Sequence, residues 1–191
     1  MGIVCGEQGC RVKIVSQDHS PGQEFLAVTE GTGDPRFPPF DPAESPEGSE
    51  SRGARRLALV VEDNRADVFL VERAVEFHQV PVRMIVVEDG EQALKYLESV
   101  EGGRAPCPDL VLLDLNLPKR TGSDVLREWR SADRCGNVPI IVFTSSDSAE
   151  DRRMAAKLGV TRYFRKPMKY EEFLKIGEVM NEVLVGRGGS A

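Results

Sequence analysis

The sequence has no apolar run near the roughly 20 residues that cross a bilayer, and its first residues lack the basic-then-apolar layout of a secretory leader. Membrane insertion and export are not expected, and the chain reads as cytoplasmic. Positive charge is also short: 25 Lys and Arg face 31 Asp and Glu, a net charge of −6. That excludes any general electrostatic attraction to nucleic acid or to an anionic membrane surface. Cysteine is sparse, with Cys5, Cys10, Cys107 and Cys135 at spacings that match neither a paired zinc motif nor a CxxC redox motif. They read as free thiols in a reducing compartment. Cys5, Cys10 and His19 would supply three ligands where a structural zinc site needs four on a fixed scaffold. The other histidine, His78, falls near the end of a predicted helix. Met1 to Gly6 carries Gly6 where an N-myristoylation signal needs Ser or Thr.

What is present is unevenly distributed. Between Gly31 and Arg55, 12 of 25 residues are Gly, Pro or Ser, and Phe37 and Phe40 are the only large apolar groups. Such a stretch buries too little surface to offset the entropy of ordering it. The first 55 residues hold 5 basic and 9 acidic side chains, so most of the net charge lies there. Residues 1–55 are expected to form a disordered acidic extension, and a start assigned too far upstream would give a tail of the same quality. The organised domain is expected over 56–188, with 189–191 a flexible end.

Beyond Arg56 short apolar runs alternate with amphipathic segments. Leu57 to Val61 is continuously apolar, too short for a helix and followed by acids, which suits a strand buried on both faces. Asn64 and Asp67 suit the opening turn of a helix whose Leu70, Val71, Ala74, Val75 and His78 share one face. Further strands are predicted over Pro81 to Val87, Asp109 to Asp114, Pro139 to Phe143 and Thr161 to Phe164. Helices are predicted from Asp89 and Gly90 through Leu97, through Val125, Leu126 and Trp129 with Ser123 or Asp124 as cap, over Glu150 to Leu158, and over Tyr170 to Val185. Five strand–helix repeats joined by right-handed crossovers give a three-layer α/β sandwich. The flavodoxin-like order for such a parallel sheet is 2-1-3-4-5, which makes the first and third strands neighbours.

Glu62, Asp63, Asp114, Thr144 and Lys166 each stand just after one of these apolar runs. In an open parallel sheet the carboxyl ends of the strands form one edge, and ligands bind in the crevice there. Three carboxylates meeting at that edge would repel, and at least one would keep its proton at neutral pH unless a cation compensates. Magnesium takes oxygen ligands in an octahedron and keeps several waters, so it suits two or three acids without a full protein cage. Glu62, Asp63 and Asp114, with the backbone carbonyl of Asn116, are the expected ligands. Thr144 and Lys166 add a hydroxyl and a positive charge, the set needed to steady a phosphoryl group in transfer.

Taken singly, each residue has a plainer reading. Asp63 alone would be a helix cap, Thr144 with Ser145 and Ser146 another cap, Lys166 a solvated lysine and Tyr163 an edge-strand aromatic. All five chemically suited residues in strand order are not explained by capping. From about Leu57 to Val185 the chain resembles the receiver domain of a two-component response regulator. VEDNRADV and DLNLP are most similar to single-domain regulators that work with phytochrome-type histidine kinases. The 30 residues from Asp114 to Thr144 and the 52 from Asp114 to Lys166 fit the family's spacing.

The resemblance implies Asp114 as phosphoacceptor, Glu62 and Asp63 as the acidic metal pair, Thr144 as switch hydroxyl, Tyr163 as switch aromatic and Lys166 as phosphate-binding lysine. It implies a cis Lys166–Pro167 bond, and Asn116 and Ser146 as the residues that tune dephosphorylation. Phosphorylation would draw Thr144 in, let Tyr163 turn inward and reshape the face of the fourth helix, fifth strand and fifth helix. With no effector domain after Val185, output is expected through a partner, a histidine phosphotransfer protein or a homodimer on that face. The expected role is a signalling phosphoacceptor, not a metabolic enzyme. A phosphatase using Asp114 would need a second Asp where Asn116 stands. The other rival is a receiver-like binding module that signals without phosphorylation, and such modules usually lose an acid, the Thr or the Lys.

Overall fold

The structure, a computed structural model, describes residues 56–186. The expectations for 1–55 and for the last residues of the chain lie outside this range. The strands are β1 (Arg56–Val61), β2 (Val82–Val87), β3 (Leu110–Leu113), β4 (Ile140–Thr144) and β5 (Arg162–Arg165). They form one parallel sheet in the order β2-β1-β3-β4-β5, as expected. The helices are α1 (Arg65–Phe77), α2 (Gly90–Glu101), α3 (Gly122–Ser131), α4 (Ala149–Lys157), α5 (Tyr170–Phe173) and α6 (Lys175–Gly186).

The period of two along the central strands divides the core into two layers. Ala58 and Val60 of β1, Leu110 and Leu112 of β3, and Ile141 and Phe143 of β4 pack under α1, α5 and α6. Leu59, Val61, Val111, Leu113 and Ile140 turn the other way, toward Tyr96, Leu97, Val125, Leu126 and Trp129 of α2 and α3. A strand buried on both faces must be apolar at every position, which is why β1, β3 and β4 stood out as continuous runs. Each Val, Leu, Ile or Phe among them contributes roughly 1.5–3 kcal/mol on burial.

Local chemistry starts the helices. Asn64 caps α1 by accepting from the Ala66 N–H, and Asp89 caps α2 by accepting from Gln92. Two expectations differ: Thr121 caps α3 in place of Ser123 or Asp124, and α4 begins at Ala149, one residue before the expected start, with Ser148 as its cap. Thr121 accepts from the Asp124 N–H, and its own hydroxyl donates to the Asp124 carboxylate. The expected last helix over 170–185 is two helices. Leu174 breaks it, and the Gly177 N–H reaches back three residues to the Leu174 carbonyl. Gly177 lets the second piece lie against α1, since a Cβ there would stand 2.4 Å from the Ala74 carbonyl oxygen.

Two more expectations are corrected. Cys107 and Cys135 are joined as a disulfide, not free thiols. The α2–β3 and α3–β4 loops lie together at the amino-terminal edge of the sheet and bring the two Cα atoms to 6.0 Å, a proximity no local spacing reveals. The Lys166–Pro167 bond is trans, as is every peptide bond among the described residues. The trans form is the lower-energy one even before proline.

Candidate functional site

The strand register decides which residues share the carboxyl edge. Val61 pairs with Leu113, so Glu62 and Asp114 leave adjacent strands side by side. The Asp114 N–H donates to the Val61 carbonyl at 3.0 Å, and the Glu62 N–H to that of Val87 at 3.0 Å. On the other side Thr144 pairs with Arg165, and the Lys166 N–H donates to the Thr144 carbonyl at 2.8 Å. The β3–α3 loop folds back tightly over this edge. A Cβ on Gly122 would lie 2.1 Å from the Asp114 carbonyl oxygen, so only glycine fits there unless the backbone shifts.

All five predicted residues come together. Glu62, Asp114 and Thr144 are buried, and Asp63 is exposed at the mouth. Glu62, Asp63 and Asp114 each offer a carboxylate oxygen within 4.8 Å of the others. Lys166 Nζ stands 2.6 Å from Asp114 Oδ2 and 2.7 Å from Glu62 Oε2, above the Phe143 ring. Burial pushes the Glu62 carboxyl up to about 7, although Lys166 pulls it the other way. Burial also works against the Lys166 ammonium, but its bonds to Asp114 and Glu62 outweigh this and hold it above the ordinary lysine range.

Asn116 connects the two halves. Its N–H donates to Asp114 Oδ1 at 2.9 Å, and its side-chain amide to the Thr144 and Ser145 hydroxyl oxygens, each at 3.3 Å. Thr144 Oγ1 also accepts from the Ser146 N–H at 3.2 Å. The Ser146 hydroxyl is bound to Asp151 of α4. The half-buried Tyr163 donates its hydroxyl to the Ser146 carbonyl at 3.2 Å and lies under the Arg152 guanidinium.

The donor set fits a hard divalent cation. It is all oxygen, it has two buried carboxylates and one exposed, and Glu62 Oε2 is buried without a well-directed hydrogen bond. Two further groups were not singled out from the sequence. Asp67 on α1 places Oδ2 2.9 Å from Lys166 Nζ, and Lys119 in the β3–α3 loop places Nζ 2.6 Å from Asp89 Oδ2. In the sequence Asp67 carries only the signal of a helix-opening residue. Its contact spans 99 positions of sequence, and no local pattern carries it.

The pattern of the response regulator receiver domain matches residues 58–177. The chain belongs to the response regulator receiver family. Among curated proteins, this receiver is 38% identical over 130 residues to a probable methanogenesis regulatory protein, FilR2 of Methanothrix harundinacea, spanning 68% of this chain and 84% of that one. It is 31% identical over 129 residues to response regulator Rcp1 of Synechocystis, spanning 67% and 88%. Among solved structures, the phosphorylated cyanobacterial phytochrome response regulator RcpA superposes with a TM-score of 0.64 at 33% identity, covering 70% of this chain and 96% of that one. A manganese-bound form of Rcp1 superposes with a TM-score of 0.61 at 30% identity, covering 66% and 92%. The receiver is thus a two-component signalling protein with phytochrome-linked relatives. No helix among its described residues is long and apolar enough to cross a membrane.

Proposed function

We propose that this receiver accepts a phosphoryl group on Asp114 from a phosphohistidine of a histidine kinase and signals through the change that follows. The observation that carries this reading is the Glu62, Asp63 and Asp114 oxygen cluster, with Lys166 against Asp114 and Thr144 joined to it through Asn116. An Asp114 carboxylate oxygen attacks phosphorus as the P–N bond breaks. The imidazole leaves with the bonding pair, and an acyl phosphate forms. Magnesium would be held by Glu62, Asp63, Asp114 and the Asn116 carbonyl, and when bound it neutralises charge on the incoming phosphoryl oxygens. Lys166 supplies a second positive charge at the same point.

The acyl phosphate adds charge and strong acceptor oxygens beside Thr144. In the present state Thr144 Oγ1 accepts from Asn116 and Ser146. Donating its hydroxyl to the phosphoryl group draws Thr144 toward Asp114, and Tyr163 leaves Ser146 to fill the space. The surface of α4, β5, α5 and α6 then changes shape, a two-state element biased by a local charge event. That face would carry a homodimer or a downstream partner, a histidine phosphotransfer protein among them. Asn116 and Ser146 flank the path of the hydrolytic water and would tune dephosphorylation. The likeness to RcpA, a cyanobacterial phytochrome response regulator, supports a phytochrome-type kinase as donor. Such a kinase would be met in the cytoplasm, where the receiver is expected to act.

The test is intact mass after incubation with phosphoramidate and magnesium, for wild type and Asp114→Asn. The expected result is one phosphoryl adduct that needs magnesium and is absent from the variant. No adduct on wild type, or one that survives in the variant, overturns the assignment and favours a binding module that works without phosphorylation.

A further inference from the structure

Lys166 Nζ meets three carboxylates, Glu62 at 2.7 Å, Asp67 at 2.9 Å and Asp114 at 2.6 Å. Of these, Asp67 and Asp114 accept well-directed hydrogen bonds from the ammonium, and Glu62 is an ion-pair neighbour. Two of the three partners also belong to the oxygen cluster that suits a cation, and Asp67 does not. A divalent cation among Glu62, Asp63 and Asp114 competes with Lys166 for oxygens of Glu62 and Asp114, whereas Asp67 remains with the lysine. The flexible lysine stem offers many other positions, so something must hold its head beside Asp114 once those contacts weaken.

Resting on the phosphoacceptor reading, we propose that Asp67 is a positioning residue. It anchors Lys166 at the phosphoryl-accepting edge when a cation has taken Glu62 and Asp114. Its placement suits the task. Asp67 sits in the first turn of α1, whose start is fixed by the Asn64 cap, and its side chain is 19% exposed, so the contact is partly shielded from solvent. A carboxylate there draws one or two of the lysine's donors and leaves the remainder for a phosphoryl oxygen. It also eases cation entry, because Lys166 without Asp67 would bind Glu62 and Asp114 more firmly.

The test compares wild type, Asp67→Asn, Lys166→Ala and the double variant by the rate of phosphoryl adduct formation from phosphoramidate across a magnesium titration. Thermal unfolding without the phosphodonor checks the folding of each and, across the same magnesium titration, reads its magnesium affinity directly, which Asp67→Asn should weaken severalfold. Asp67→Asn is expected to slow the reaction roughly tenfold at saturating magnesium and to raise the magnesium concentration at half-maximal rate severalfold, the scale of one lost charge-assisted bond. In the Lys166→Ala background the same substitution is expected to change the saturating rate less than twofold, because its effect runs through the lysine. A merely structural Asp67 would slow both backgrounds alike, and that result overturns the proposal. So does an unchanged or faster Asp67→Asn. If wild type forms no adduct, the phosphoacceptor reading itself fails and the anchor falls with it, an outcome distinct from a reactive wild type with an indifferent Asp67.

Discussion

Replacing Glu62 with Gln should stabilise the metal-free protein, and only at higher pH. The Glu62 side chain is 2% exposed, and its carboxyl titrates near 7 in the fold against 4.5 ordinarily. A carboxyl raised on folding binds its proton more tightly in the native state. Below about pH 4.5 it is protonated in both states and costs nothing. As the pH rises from about 4.5 to about 7 it ionises in the unfolded chain first, and native stability falls. Above about 7 the cost is complete: the rise from 4.5 to about 7, at about 1.4 kcal/mol per pH unit, is about 3.5 kcal/mol. Glutamine has nearly the same shape and no charge, so the variant avoids this loss.

The assay is urea unfolding in EDTA, followed by fluorescence of the buried Trp129. At pH 5 the two proteins should differ by under about 1 kcal/mol, and at pH 8 the variant should be more stable by about 3.5 kcal/mol. With a urea slope of about 2 kcal/mol per molar, that is a midpoint shift of about 1.7 M. Magnesium should stabilise wild type and the variant less, because a cation that binds only the folded state contributes with its affinity. An equal difference at both pH values, or a variant less stable at pH 8, would refute the assignment of a strained, ionised Glu62.

Arg130 carries a second expectation, for stability alone. Its guanidinium donates to the carbonyls of Gly136 and Val138 at 2.7 and 2.8 Å and of Leu158 and Gly159 at 2.9 and 3.0 Å, tying the α3–β4 loop to the α4–β5 turn. Arg130→Ala should cost about 2–3 kcal/mol in urea unfolding, and Arg130→Lys should recover less than half, since an ammonium cannot fork across four acceptors. Gly122→Ala should lower the thermal midpoint by an amount equivalent to about 1–3 kcal/mol, because its Cβ meets the Asp114 carbonyl. It should also slow adduct formation on Asp114 in the mass assay. A variant that loses stability yet reacts at the wild-type rate would show that Gly122 does not position Asp114.

The elements most legible in the sequence are those whose whole environment is apolar. β1, β3 and β4 are buried on both faces, so their composition alone marks them, and the acid or hydroxyl that ends each run is conspicuous by contrast. Caps made by a residue's own neighbours, Asn64 and Asp89, were legible for the same local reason. The break at Leu174 was not. The apolar positions of α6 continue the helical period from α5, and the interruption accompanies the close approach of Gly177 to α1. Thr121 is masked as a cap because Ser123 and Asp124 follow it at once, and only the loop's path past Asp114 selects among the three.

The sequence by itself determined the kinds of residue at the strand ends, their order and the spacing between them. A parallel sheet of known order turns such spacing into proximity, which gathers Glu62, Asp63, Asp114, Thr144 and Lys166 at one edge. Tertiary structure alone decided which partners a side chain finds across elements. Lys166 reaches Asp67 from 99 residues away, Arg130 gathers carbonyls from two loops, and Cys107 meets Cys135 at the opposite edge. The physical reason is that backbone pairing follows a periodic pattern carried by the chain. A long side chain instead settles where packed neighbours leave room and opposite charge, and those neighbours come from helices and loops whose mutual placement exists only in the fold.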